Sequence, residues 1–191
     1  MTPRYIADLV SHDADAKHSF VMLIKALGRG DNLIVSASSA GPRKRFIAEF
    51  MRHLDPALRV VAAGEASDIQ VPHANLNRLE AAAGDEGARF DHNGAIALAA
   101  NNAADLLLAG ELMEANTPPL LEVVRSEKTH LVGTITATGS DDAHRSLHLW
   151  VSKHLGPDDV ERLHLQAELR ARIRIVHVEQ SGDRLRITQI N

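Results

Sequence analysis

Three basic side chains in a row, Arg43-Lys44-Arg45, follow a run of small residues, Ser36-Ala37-Ser38-Ser39-Ala40-Gly41-Pro42. Upstream, Asn32–Ser36 (NLIVS) is a short apolar run that reads as a buried strand. Downstream, Phe46, Ile47, Phe50, Met51 and Leu54 recur at helical spacing, with Pro42 where that helix should begin. A strand, a tight turn and a helix start place backbone N–H groups where they can hold an anion. The candidate anion-contacting residues are therefore Ser38, Ser39, Ala40, Gly41, Arg43, Lys44 and Arg45. A full phosphate loop, G-x-x-x-x-G-K-[ST], needs glycines for close backbone approach, a lysine for the terminal phosphates and a hydroxyl for Mg²⁺. None of these elements is matched at its position. Two readings of the basic turn stay open: a loose anion site, or a solvated turn.

A second candidate is Glu111, which follows the apolar run Asp105–Ala109 (DLLLA) at the strand end where α/β sites gather. It reads either as an acid that activates water or links Mg²⁺, or as an ordinary loop carboxylate. The chain has 11 histidines. His144 and His148 lie four apart on a predicted helix, but no acid or third histidine sits at a recognised spacing such as H-E-x-x-H. An exposed polar face is the reading, and no metal is expected. Trp150, the only tryptophan, is expected to fill core or interface.

These residues need a frame, and the rest of the chain alternates between strand-like and helix-like segments. Phe20, Leu23, Ile24 and Leu27 form a helical stripe that stops at Gly28 and Gly30. Arg59–Ala63 and Leu131–Ala137 read as further short strands, and Ala143–Leu155 as a helix. Another helix opens at Pro157 and runs through Arg170. Arg172–Val178 and Arg184–Ile190 flank Ser181-Gly182-Asp183, a hairpin signal. Continuous apolar strands separated by helices predict a three-layer α/β/α domain with a mostly parallel sheet. The hairpin adds an antiparallel edge. Ala81–Phe90 is the softest stretch and is expected to be an exposed loop. With no convincing boundary, residues 1–191 read as one domain whose first 30 residues are a helical lead-in.

Composition narrows the function classes. The net charge of −4 gives no support for a basic nucleic-acid grip. With no cysteine, disulfides and thiolate metal sites are excluded, which fits a cytoplasmic protein. No apolar run approaches the roughly 18–20 residues that span a bilayer, and Met1–Asp8 has no apolar signal-peptide core. Aromatic residues are only 3% of the chain, so the core must rest on Leu, Ile, Val and Ala.

Read together, these segments resemble the C-terminal RecA-like domain of the type II/type IV secretion and pilus-motor ATPase family. The family's strand and loop read roughly I-L-I-S-G-G-T-G-S-G-K-T-T-F, and this chain has LIVSASSAGPRKRF with the same length. Ala37 and Pro42 then take the two signature glycine positions, Arg43 the lysine and Lys44 the Mg²⁺-ligand hydroxyl. The family's acidic box resembles I-E-D-T-x-E-L-x-L-P-H-x-N-x-x-R-L. Here Pro72-His73-Ala74-Asn75-Leu76-Asn77-Arg78-Leu79 matches its second half at every specified position, while Gly64 replaces the first acid and Glu65 and Asp68 stay acidic. The Walker B stretch keeps Asp105 and Gly110-Glu111 but has Met113 where the family has Arg. In the histidine box, Thr136 stands in place of the histidine.

The resemblance runs from about Leu9 onward and lacks the separate N-terminal domain family members usually carry. It implies an ATPase frame whose chemical positions have changed while frame positions stay. The leading expectation is a degenerate, non-catalytic relative acting through protein assembly. It would be a homo-oligomer or a partner of an active ATPase paralogue in secretion or pilus machinery, with no nucleic acid and no membrane insertion. Its place would be the cytoplasm, with a peripheral seat at the inner face of a membrane machine as an extension of that reading. No cofactor is expected. ATP and Mg²⁺ enter only under the first alternative, an active ATPase with an unorthodox loop. The second alternative is a regulatory module holding another anion at the basic turn. In the degenerate reading Glu111, Glu65 and Asp68 are vestigial.

Overall fold

The computed structural model describes residues 14–63, 69–79, 93–94, 96–97, 104–125, 128–154, 159–182 and 184–191. Glu65, Asp68 and the expected loop Ala81–Phe90 lie outside them. The helical stripe around Phe20 becomes α1 (Ala14–Gly28), which ends where Gly30 takes a positive φ of 100°. That left-handed conformation suits glycine and turns the chain into β1 (Asn32–Ala37). The next elements are α2 (Ala40–Met51), β2 (Val60–Ala63) and β3 (Leu76–Leu79). After these come β4 (Leu106–Glu111), a 3₁₀ turn at Glu114–Asn116 and α3 (Thr117–Arg125). The described chain closes with β5 (His130–Thr136), α4 (Ser140–His154), α5 (Asp159–Arg172), β6 (Ile173–Ser181) and β7 (Arg184–Ile190).

Seven strands form one sheet in the order β3-β2-β4-β5-β1-β6-β7. All pairs are parallel except β6–β7, the antiparallel C-terminal hairpin. The central strands β1 and β2 are buried along their whole length, as strands covered on both faces must be. Alternation divides their side chains between two cores. Leu33 and Val35 face α1 and α2 with Phe20, Phe46, Ile47 and Phe50. Ile34 faces the other way with Leu120, Val124, Leu147 and Leu169 from α3, α4 and α5. Three aromatic rings cluster in the first core: Phe20 meets Phe46 and Phe50 edge-on at centroid distances of 5.7 and 5.5 Å.

Element ends depart slightly from expectation. The helix after β1 begins at Ala40, so Pro42 is its third residue rather than its first. The cost is small, because N–H groups of the first turn have no intrahelical acceptor. β4 extends to Glu111, so that acid ends a strand rather than following one. The string Leu76–Leu79 forms a parallel edge strand on β2 that periodicity did not reveal. With only four half-exposed or exposed residues, it has no apolar run to read.

Candidate functional site

Strand order decides where a site can form. β1 lies between β5 and β6. The chain leaves β1 toward α2 on one face of the sheet, and leaves β5 toward α4 on the other. The carboxyl ends of β1 and β5 therefore flank a topological switch point, where α/β proteins form their crevice. β4, hydrogen-bonded beside β5, brings Glu111 to the same rim.

The loop Ser38-Ser39 is exposed, and Ser39 is the N-cap of α2 in extended conformation (φ −148°, ψ 164°) without a side-chain capping bond. The basic residues then part company. Lys44 is exposed and Arg45 half-buried, whereas Arg43 is buried, at 3% exposure. Arg43 turns inward across the switch point. Its Nη2 donates to Glu111 Oε2 at 2.9 Å, and its Nη1 donates to the hydroxyl of Thr136 and to the Ala37 carbonyl oxygen at 3.5 Å. The Thr136 hydroxyl in turn donates to the other oxygen of Glu111. Arg43, Glu111 and Thr136 thus form a closed triad, each member bonded to the other two. The solvated-turn reading therefore describes Lys44 but not Arg43, and Glu111 ends β4 with both carboxylate oxygens bonded within the triad.

Beside the triad lies a cavity of about 220 Å³, lined in part by Ala40, Lys44, Ile69 and Gly110. That is below the roughly 300–1,000 Å³ usual for small-molecule sites. Its polar side chains are Arg43, Glu111, Thr134 and the exposed Lys44. Gly110 and Glu111 reach it through an irregularity in the β4–β5 register between Leu108 and Glu111. From the sequence, Arg43 and Thr136 stand out one by one as substitutions and Glu111 as a retained acid. Their contact with one another was not readable, because it depends on elements 25 to 93 residues apart in sequence being neighbours.

Other singled-out residues have structural partners. His73 Nε2 bonds the Asp55 carbonyl oxygen at 3.1 Å, and Asn75 Nδ2 donates to the Ala57 carbonyl oxygen at 3.4 Å. Arg78 donates twice to the Ile69 carbonyl oxygen, at 3.1 Å each. The Pro72–Leu79 string is thus a backbone clamp. His144 and His148 share a face of α4 with ring centroids 4.4 Å apart. Burial, the first cause, and the nearby Arg170 push both imidazoles below the usual histidine range. Among the described residues no group of three or more His, Asp or Glu side chains is placed to hold a metal ion. Trp150 is half-buried against the α3–α4 core. One buried pair escaped the sequence reading altogether: Ser36 Oγ and His177 Nδ1 are 2.9 Å apart between β1 and β6. Among the described residues no helix is long and apolar enough to cross a membrane.

The fold is an α/β/α domain with a mostly parallel sheet, an antiparallel C-terminal hairpin and a crevice at its switch point. No family model matches this chain, and no curated protein sequence does either. Solved structures do. The VirB11 ATPase from the Brucella suis type IV secretion system, in complex with sulphate, superposes with a TM-score of 0.74 at 14% identity, covering 93% of this chain and 52% of that one. The Legionella pneumophila ATPase DotB gives a TM-score of 0.63 at 16% identity, over 87% of this chain and 46% of that one. The pilus retraction motor PilT with bound ADP gives 0.63 at 14%, over 88% and 50%. The chain therefore has the fold of the type II/IV secretion and pilus-motor ATPases, and spans about half the length of these structures.

Proposed function

We propose that this chain is a secretion-ATPase-like module that does not turn over ATP and works by assembling with other protein chains. The observation that carries the reading is the Arg43–Glu111–Thr136 triad. In an ATP-binding loop the cation at this position serves the terminal phosphates. Here it already serves a carboxylate, so a triphosphate must displace Glu111 and leave that acid beside its own negative charge.

Neighbouring residues act in the same direction. Pro42 has no N–H to donate. Ala37 adds a Cβ where a signature glycine would let phosphate approach. Lys44 sets an ammonium where a hydroxyl would hold Mg²⁺, and two cations compete for one place. The residues present do not fit Mg-ATP. Each lost charge-assisted hydrogen bond costs about 1.5–3 kcal/mol, so several together weaken binding by orders of magnitude. An intact frame without its chemistry suits a subunit that contributes surfaces. Its partners would be copies of itself or an active paralogue within a secretion or pilus machine, in the cytoplasm.

The test is calorimetric titration with Mg-ATP, paired with phosphate release and sedimentation of the pure protein. No binding at millimolar nucleotide, with self-association or capture of an active paralogue, is the expected outcome. Micromolar binding with turnover abolished by Glu111→Gln would overturn the reading in favour of an unorthodox ATPase, with Lys44 as its phosphate-binding cation. Binding of another anion at Lys44, without ATP, would favour the regulatory alternative. The joint change Ala37→Gly, Pro42→Gly, Arg43→Lys and Lys44→Thr should restore measurable nucleotide affinity.

A further inference from the structure

α4 buries one stripe of side chains and carries a polar one beside it. Ala143, Leu147 and Val151 recur at every fourth position and enter the second core. One residue after the first two of these stand His144 and His148, both half-buried along the flank of that stripe. Side chains four apart on a helix are neighbours, with Cβ atoms about 5–6 Å apart. Here the ring centroids are only 4.4 Å apart and the planes 32° from parallel, so the imidazoles lean toward one another. Asp141 is exposed three residues before His144, on the same face of the helix, and its charge acts on that ring.

His148 carries the feature that needs an explanation. Although the residue is half-buried, its Nε2 is fully buried and has no hydrogen-bond partner. Among the described residues no other buried side-chain nitrogen or oxygen is left so. A buried lone pair without a donor is costly, and native chains avoid it unless a water or an ion supplies the missing partner. A water would satisfy that nitrogen alone and would not account for a second imidazole leaning against it. A transition-metal ion takes both, since imidazoles at i and i+4 on one helix face form a chelating pair. Two protein ligands leave the remaining positions of the ion to water, as in open rather than structural sites. One charge works against such an ion. Arg170 of α5 is exposed and acts on both rings, so it repels a cation held between them.

We infer that His144 and His148 chelate a divalent transition-metal ion on the flank of α4, the Nε2 of His148 being one ligand and water completing the shell. The pair shares no residue with the switch-point triad, so the inference stands apart from the proposed loss of ATP turnover.

The probe is Zn²⁺, titrated calorimetrically into the full chain in chelator-free buffer, with Mg²⁺ as the control. One saturable Zn²⁺ site is expected below millimolar concentration, and Mg²⁺, which prefers oxygen ligands, should not compete. His144→Gln and His148→Gln should each weaken binding at least about tenfold, since even outer-shell changes at metal sites cost that much. Arg170→Ala, on an exposed side chain, should tighten binding about threefold by removing a like charge, an effect that fades with added salt. If a glutamine variant does not fold, NMR of the unaltered chain decides. Paramagnetic Ni²⁺ should then broaden the ring-proton signals of His144 and His148 before those of other histidines. The inference is overturned by no saturable binding at millimolar Zn²⁺, by a site that survives either glutamine variant, by Ni²⁺ broadening other histidines first, or by Mg²⁺ competing. Binding no tighter in Arg170→Ala would overturn it too.

Discussion

The Arg43–Glu111 pair at the carboxyl ends of the strands and the Arg59–Asp105 pair at their amino ends do opposite things. At the carboxyl ends Arg43 meets Glu111 at 2.9 Å with side-chain exposures of 3% and 29%. At the amino ends Arg59 meets Asp105 at 2.8 Å with exposures of 56% and 36%. The first pair spans the crevice, its guanidinium bridging α2 and β4 beside the cavity of about 220 Å³. The second lies along the rim, fastening the start of β2 to the start of β4, and leaves the neighbouring cleft of about 510 Å³ open. Ion-pair chemistry is the same in both places. What differs is whether the pair's axis crosses the opening or borders it, and how much water screens it.

That difference can be measured as stability. Removing one partner of a desolvated pair strands the other, typically costing about 3–5 kcal/mol. Because Glu111 is 29% exposed, Arg43→Ala and Glu111→Ala should each cost about 3 kcal/mol, the low end of that range. Urea unfolding checks this, and a double-mutant cycle should recover a coupling well above that of the Arg59–Asp105 pair. Equal coupling at the two ends would break the comparison. Thr136→Val should cost less, about 1 kcal/mol, because it deletes one hydroxyl and leaves the ion pair standing.

How much of this was legible beforehand depends on what kind of signal carries it. Buried parallel strands announce themselves as continuous apolar runs, so β1, β2, β4 and β5 were placed to within about two residues. The hairpin announced itself through Ser181-Gly182-Asp183, and Gly182 indeed has a positive φ of 60°. β3 was not legible, because a short half-exposed edge strand has no hydrophobic pattern. At the carboxyl-end site, substitution at Arg43 and Thr136 was visible, but sequence treats positions independently. Only strand order makes Arg43, Glu111 and Thr136 neighbours. The Ser36–His177 bond is hidden for the same reason: it joins residues 141 apart.

The next prediction concerns acid. Burial holds His177 below the usual histidine range, with Glu179 opposing it weakly, and His144 and His148 are lowered likewise. A histidine with a depressed folded-state value binds fewer protons folded than unfolded. Its stabilising share is therefore fully present above about pH 6.5 and is lost as pH falls from there toward the lowered value. Urea midpoints should drop between pH 7 and pH 5. His177→Gln should flatten part of that slope, and His144→Gln with His148→Gln most of the remainder. A midpoint independent of pH in this window would show that these imidazoles titrate normally in the folded chain.

The smallest effect belongs to the amino-end pair. Hydrogen bonds from the Arg59 side chain and backbone, opposed by slight burial, pull Asp105 down to about 2. A carboxylate with a depressed folded-state value stabilises fully above its unfolded value of roughly 3.9, and that share is lost as pH falls toward 2. Solvent screens this exposed pair, so Asp105→Asn at pH 7 should shift the urea midpoint only marginally. Asn keeps one acceptor for the Arg59 N–H, which Asp105 Oδ2 now accepts at 2.8 Å. Between pH 4 and pH 2 the two proteins should converge, because wild type loses by protonation what the variant already lacks. A variant that stays less stable by the same margin at pH 2 would mean that Asp105 acts through packing at the start of β4 rather than through its charge. The rim pair would then be a structural joint unlike the Arg43–Glu111 pair in kind, not only in degree.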